Sequence, residues 1–264
     1  MSEHIVAMGG GGFSAGVQDA ALDLFALGLA ESSRPRICLL PTAGGDAEEQ
    51  IGRFHAFFSA RECEPSHVAL FRRGEADVDL RELLLGQDVI YVGGGSLLNL
   101  LAIWRVHEID SILRDAWEAG IVLCGLSAGS MCWFEGGVTT STGAPRVAPG
   151  LGFLRGSNSV HWSSQPARRE VYRAAIASGE LGPGYGVDDG AALVFQGPRL
   201  VEVISAREGA GARRVERSGD GFEEHELAVR RLAPAPPARD RTPLAVTELR
   251  EVRELRGRYL GPRG

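Results

Sequence analysis

Five short apolar runs, each closing on glycine or a polar turn, constrain this chain more than any other feature. They are "HIVAMGG" (4–10), "RICLLPTAGG" (36–45), "HVALF" (67–71), "DVIYVGGGS" (88–96) and "IVLCGLSAG" (121–129). A strand that faces solvent on one side alternates apolar and polar residues, whereas these runs are apolar throughout, as strands buried on both faces require. Between them lie "VQDAALDLFALGLA", "EEQIGRFHAFFSA" and "IDSILRDAWEAG", whose apolar residues recur at helical spacing. Strand and helix therefore alternate, and the expected fold class is α/β: a mostly parallel sheet covered by helices on both faces. Sites in such sheets gather at the carboxyl ends of the strands.

Beyond about residue 135 the pattern changes. "RLVEVIS", "ARRVERS" and "HELAVRRL" read as short strands joined by turns, and "ARREVYRAAIASG" is the one clear helix. The expectation is an antiparallel extension of the same sheet, with residues 1–232 as one domain. The stretch "APAPPARDRTP" (233–243) reads as an extended Pro/Ala linker. A helix packing on the same domain is expected after it, up to residue 264.

Composition removes several chemistries. All 28 basic residues are arginine, so a phosphate-binding GxxxxGK[ST] loop, a Schiff-base lysine and a Ser–Lys dyad are excluded. "GGGGF" at 9–13 fits no GxGxxG frame, because Ser14 and Ala15 stand where the last glycine would fall. The net charge of −6 offers no basic stripe for a phosphate backbone, and no nucleic-acid partner is expected. Cys38, Cys63, Cys124 and Cys132 are too scattered for a CxxC motif and read as buried thiols of a reducing compartment. The amino terminus shows neither a basic nor an apolar signal region, and no stretch is long enough to span a bilayer, so a cytoplasmic protein without a membrane partner is expected. Homodimerisation is left open.

The run Gly125-Leu126-Ser127-Ala128-Gly129 satisfies G-x-S-x-G and lies between an apolar strand and an apolar segment able to pack as a helix. In such an elbow the turn is so sharp that the serine hydroxyl is pushed into the open, while the N–H of the next residue, Ala128, can face a developing oxyanion. A chance Gly/Ser turn is the alternative; the flanking strand and helix favour the elbow. Gly93-Gly94-Gly95-Ser96 closes the preceding strand and would lie beside Ser127, offering further N–H groups. A serine nucleophile needs a base. Of the six histidines, His4, His55, His67 and His107 read as surface or core residues, leaving His161, after "GFLRGSNSV", and His225, in "EEHELAVRRL". The acid that would orient the imidazole is sought in "GVDDGAA", where Asp188 and Asp189 sit at a turn.

Taken together, "YVGGGSLLNLL", "CGLSAGSMCWF", "GSNSVHW" with the trailing "ARREVY", and "GYGVDDGAALVF" resemble, in order and spacing, the serine peptidases that include dipeptidase E and cyanophycinase. The resemblance covers roughly residues 5–205. It implies a three-layer α/β/α fold similar to class I glutamine amidotransferases, Ser127 as nucleophile, His161 as base, and an oxyanion hole around Gly94, Gly95 and Ala128. It also implies a short peptide as substrate, with no metal or other cofactor. The family's third triad member is usually glutamate in a D-E-x-x-A stretch; that position is Asp189 here, and the role is left open between Asp189 and Asp188. Ser96, Trp162, Arg168 and Arg169 are expected at the substrate. The family often has His-Tyr and acidic residues where this chain has His161-Trp162-Ser163-Ser164-Gln165, and an asparagine where it has Ser96, which puts specificity for an N-terminal aspartate in question. Either arginine offers a bidentate clamp for a carboxylate. Two other readings compete: an α/β-hydrolase esterase using Ser127, Asp188 or Asp189, and His225, and a non-catalytic binding protein on the same fold.

Overall fold

The computed structural model describes residues 3–14, 19–71 and 79–236. In chain order the elements are β1 (His4–Met8), α1 (Ala20–Leu27), β2 (Arg36–Leu40), α2 (Glu48–Ser59), β3 (Glu64–His67), α3 (Leu80–Leu85), β4 (Val89–Val92), α4 (Leu97–Val106), α5 (Ile109–Glu118) and β5 (Val122–Leu126). They continue with α6 (Ala128–Met131), β6 (Phe134–Thr139), β7 (Arg146–Pro149), β8 (Leu154–Val160), α7 (Pro166–Ser178), β9 (Gly184–Val187), β10 (Ala191–Gln196), β11 (Arg199–Ser205), β12 (Ala212–Ser218), β13 (Gly221–Glu226) and β14 (Val229–Arg231). The helix expected near the carboxyl terminus falls outside the described residues.

The main sheet runs β14-β11-β10-β1-β5-β4-β2-β3. From β1 to β3 every pairing is parallel, and β10 joins β1 antiparallel as the expected extension. The pleat sends successive side chains to opposite faces. Thus Ile5, Ala7, Ile90, Val92 and Leu123 pack with Leu100, Trp104, Leu113 and Trp117 of α4 and α5, while Val6, Met8, Val89, Tyr91 and Cys124 pack with Leu22 of α1 and Phe54 and Phe58 of α2. Both faces are covered, which is why these strands carry no polar alternation.

The second half departs from the expectation of one continuous sheet. β6, β7, β8, β9, β12 and β13 form a separate sheet in the order β13-β12-β9-β8-β6-β7, with α7 packed on it through Tyr172 and Ile176. "HELAVRRL" is split between the sheets, because the chain leaves β13 after Glu226 and rejoins the main sheet as β14. β3 is also displaced from its expected place: the strand is Glu64–His67, and Val68–Phe71 follows it. As the outermost strand among the described residues, β3 pairs with β2 on one side and so tolerates Pro65. The helix after Ser127 is four residues long, since the carbonyls of Cys132 and Trp133 accept from Leu151 and Leu154 and turn the chain into β6.

One buried group makes this core sensitive to pH. Asp23 on α1 is 1% exposed, and its Oδ1 accepts from the Tyr91 hydroxyl at 2.8 Å while Oδ2 has no partner among the described residues. Burial pushes its carboxyl up to about 8, against the opposing effect of the Tyr91 hydrogen bond and with help from the charge of Asp19. The folded state therefore holds a proton that the unfolded chain releases near pH 4, and stability is expected to fall as pH rises from about 4 to about 8, by on the order of 5 kcal/mol. Asp23→Asn, which mimics the neutral acid, should flatten that slope. Thermal melts of both proteins from pH 5 to 9 check it; parallel profiles would refute the assignment.

Candidate active site

The site forms where the two sheets meet. β5 delivers Ser127, β8 delivers His161, and the crossing from β9 to β10 delivers Asp188 and Asp189. Ser127 has φ 54° and ψ −112°, and His161 has φ 56°, both in backbone regions that side-chain-bearing residues seldom occupy. Each costs of order 1–3 kcal/mol, supplied by the surrounding packing. The glycines of G-x-S-x-G owe their identity to close approach: a Cβ on Gly125 would collide with the carbonyl oxygen of Gly129, and one on Gly129 would collide with that of Val92. The Ser127 N–H donates to Met8 C=O at 3.1 Å, tying the elbow to β1.

Ser127 Oγ lies 3.0 Å from His161 Nε2, and His161 Nδ1 lies 2.5 Å from Asp189 Oδ1. With the Nδ1 proton directed at the carboxylate, Nε2 is free to accept from the serine. Asp189 Oδ2 accepts from Ser164 Oγ at 2.5 Å. Burial alone would raise the Asp189 carboxyl, but the hydrogen bonds from His161 and Ser164, with the charges of His161 and Arg207, outweigh it and hold the group below its usual value. Asp188 is engaged elsewhere: it is 6% exposed, Oδ1 accepts from Ser163 N–H at 3.1 Å and from Ser163 Oγ at 2.5 Å, and Oδ2 accepts from Gly211 N–H at 3.0 Å. It ties the His161 loop to the segment entering β12. His225 lies on the outermost strand of the second sheet, 3.6 Å from Glu223, so the histidine that meets Ser127 is His161.

Gly94 borders Ser127, since a Cβ there would stand 3.4 Å from Ser127 Cβ. Neither Gly94 nor Gly95 gives its N–H to a backbone carbonyl among the described residues, and Ala128, first in α6, has no intrahelical partner for its own. Gly95, at φ 144°, is pressed onto the Ala43 carbonyl, which orients the loop.

The residues expected at the substrate separate into different roles. Ser96 caps α4, its Oγ accepting from Asn99 N–H at 3.2 Å. Trp162 is 2% exposed, edge-on to Tyr172, so it supports the His161 loop from within the core and offers no open face to a ligand. Arg169 lies 3.7 Å from Glu170. Arg168 is 4% exposed; Nη2 donates to Thr140 Oγ1 at 2.7 Å, while Nε and Nη1 have no partner among the described residues. Burial lowers its guanidinium to about 10, opposed by the charge of Asp189, so it remains a cation at neutral pH. Ser163 and Ser164, read from the sequence only as departures after His161, bond the two aspartates, and Arg207, which no sequence signal singles out, acts on Asp189 by its charge.

Among the described residues, no group of three or more His, Cys, Asp or Glu could hold a metal ion, and no helix is long and apolar enough to cross a membrane. All four cysteines are buried, and burial raises the thiols of Cys38, Cys124 and Cys132.

The sequence pattern of Peptidase family S51 matches residues 5–203. The chain belongs to peptidase family S51. A relative in Bacillus subtilis (strain 168), named as the uncharacterized peptidase YgaJ, is 44% identical over 226 residues, covering 86% of this chain and 95% of the relative. Among solved structures, a peptidase from an acI-B1 actinobacterium superposes with a TM-score of 0.63 at 18% identity, covering 89% of this chain and 98% of that one. A putative peptidase E protein from Listeria monocytogenes EGD-e gives 0.54 at 13% identity, covering 86% and 100%. At those identities the two structures speak for the fold. The S51 match identifies an enzyme that cleaves peptides.

Proposed function

We propose that this S51 peptidase hydrolyses short peptides or isopeptides through a Ser127–His161–Asp189 triad and an acyl-enzyme. The observation that carries the reading is the unbroken chain from Ser127 Oγ through the imidazole to Asp189, 3.0 Å and then 2.5 Å, at a strained elbow. Ser127 Oγ attacks the scissile carbonyl as His161 Nε2 takes its proton. The N–H groups of Gly94 and Ala128, with Gly95 beside them, receive the charge that develops on the carbonyl oxygen. His161 then gives its proton to the leaving amine, and a water that it deprotonates releases the acid.

Arg168 supports a substrate that carries a carboxylate. A buried guanidinium whose Nε and Nη1 have no partner among the described residues is short of acceptors, and a carboxylate entering beside the triad would supply one. The test is a library of dipeptides and isopeptides assayed with wild type and Arg168→Gln. Wild type should favour substrates that carry a carboxylate near the scissile bond, and the variant should lose that preference, mainly through a rise in KM of roughly 10-fold or more. A preference equally strong in Arg168→Gln would remove the arginine from the substrate site.

A further inference from the structure

The glycine run Gly9–Gly12 is unexplained by the triad alone, and its surroundings assign it a purpose. A Cβ on Gly10 would collide with Asp189 Oδ1 and stand 2.7 Å from His161 Cε1. On Gly11, at φ 103°, one would collide with Asp19 Oδ2. Consecutive residues of one strand exit thus touch the triad and a second carboxylate. Asp19 is wholly buried, and Arg207 grips both its oxygens, Nε to Oδ1 at 2.7 Å and Nη2 to Oδ2 at 2.6 Å. The stem of Arg207 lies against Gly190, the residue after Asp189, where a Cβ would stand 2.6 Å from its Cδ. Two bonds close the ring: Gly190 N–H donates to Gly10 C=O at 2.9 Å, and Ala206 N–H donates to Gly190 C=O at 2.8 Å.

We propose that Arg207 and Asp19 are positioning residues whose ion pair, one layer of glycine backbone behind the triad, sets the charge that Asp189 and His161 experience. The inference rests on the triad reading above. The Arg207 side chain is 39% exposed while Asp19 is wholly buried, so Arg207 both neutralises a desolvated carboxylate and holds a cation near Asp189. The groups that face Asp189 are His161, Ser164, Arg168 and Arg207, and Asp19 faces Arg207 and Asp23. Arg207 is the member of the pair whose charge acts on Asp189 directly. Removing it should favour the imidazolium, and removing Asp19 while keeping Arg207 should disfavour it.

The test is the rate at which a fluorophosphonate probe labels the purified full chain, measured from pH 5 to 9, with thermal melts establishing that each variant is folded. In Arg207→Gln the acid limb of the rate profile should move to higher pH by about half a unit or more, and in Asp19→Asn it should move the other way. Arg207→Lys keeps the charge without the fork, so its limb should stay in place while its rate falls. A role confined to holding the loops predicts lower rates in both charge variants without opposed shifts. Unmoved limbs, or shifts in the same direction, would therefore overturn the proposal, and if one variant does not fold the direction in the other decides. Failure of the triad reading shows separately and earlier: wild type would go unlabelled, or His161→Ala would label as fast as wild type.

Discussion

His161→Ala is expected to lower kcat/KM on a cleaved peptide by about 10⁴- to 10⁶-fold, while His225→Ala leaves it within about twofold. The asymmetry follows from position. His161 Nε2 is 3.0 Å from Ser127 Oγ, and without it the hydroxyl must lose its proton to water. His225 sits 3.6 Å from Glu223 on an outer strand and touches none of the reacting groups. Because the base must be neutral, activity should fail in acid. The same geometry ranks the two aspartates. Asp189→Asn removes the carboxylate that holds the Nδ1 proton and should cost on the order of 10⁴-fold in kcat. Asp188→Asn should act by loosening the Ser163 and Gly211 contacts, with a loss closer to 10-fold and a lower melting temperature. A dead His225 variant beside an active His161 variant would transfer the chain to the esterase mechanism.

The half of the fold that places Ser127 was legible because its signals are local. Strands buried on both faces are apolar throughout, and G-x-S-x-G names its own turn, since Gly125 and Gly129 are needed by contacts within a few residues of Ser127 and β4. The other half was not, because the second sheet is assembled from short strands whose partners lie far apart in sequence. Nothing within "HELAVRRL" says that Glu226 ends one sheet and Val229 enters another. The site divides in the same way. Ser127 and His161 stand in recognisable motifs, whereas Asp189 enters the proposed triad ahead of Asp188 only on the hydrogen bonds of the two carboxylates. Ser96 and Trp162 have the chemistry of ligand contacts but are used as a helix cap and a core support, which depends on tertiary placement. Arg207 and Asp19 are 188 residues apart, and no periodicity or spacing links them.

One direct measurement tests whether Ser127 is the nucleophile of the proposed triad. Its backbone strain, its close glycine neighbours and its contact with His161 all support the proposal that this one hydroxyl is exposed and activated. Purified chain should be treated with a fluorophosphonate, digested and mapped by mass spectrometry, with peptide turnover followed on the same samples. The adduct is expected on Ser127 alone, turnover should fall in proportion to labelling, and Ser127→Ala should lose both the adduct and about 10⁶-fold in kcat while melting as wild type does. Full turnover by Ser127→Ala, or an adduct on another serine that tracks the loss of activity, would contradict the account.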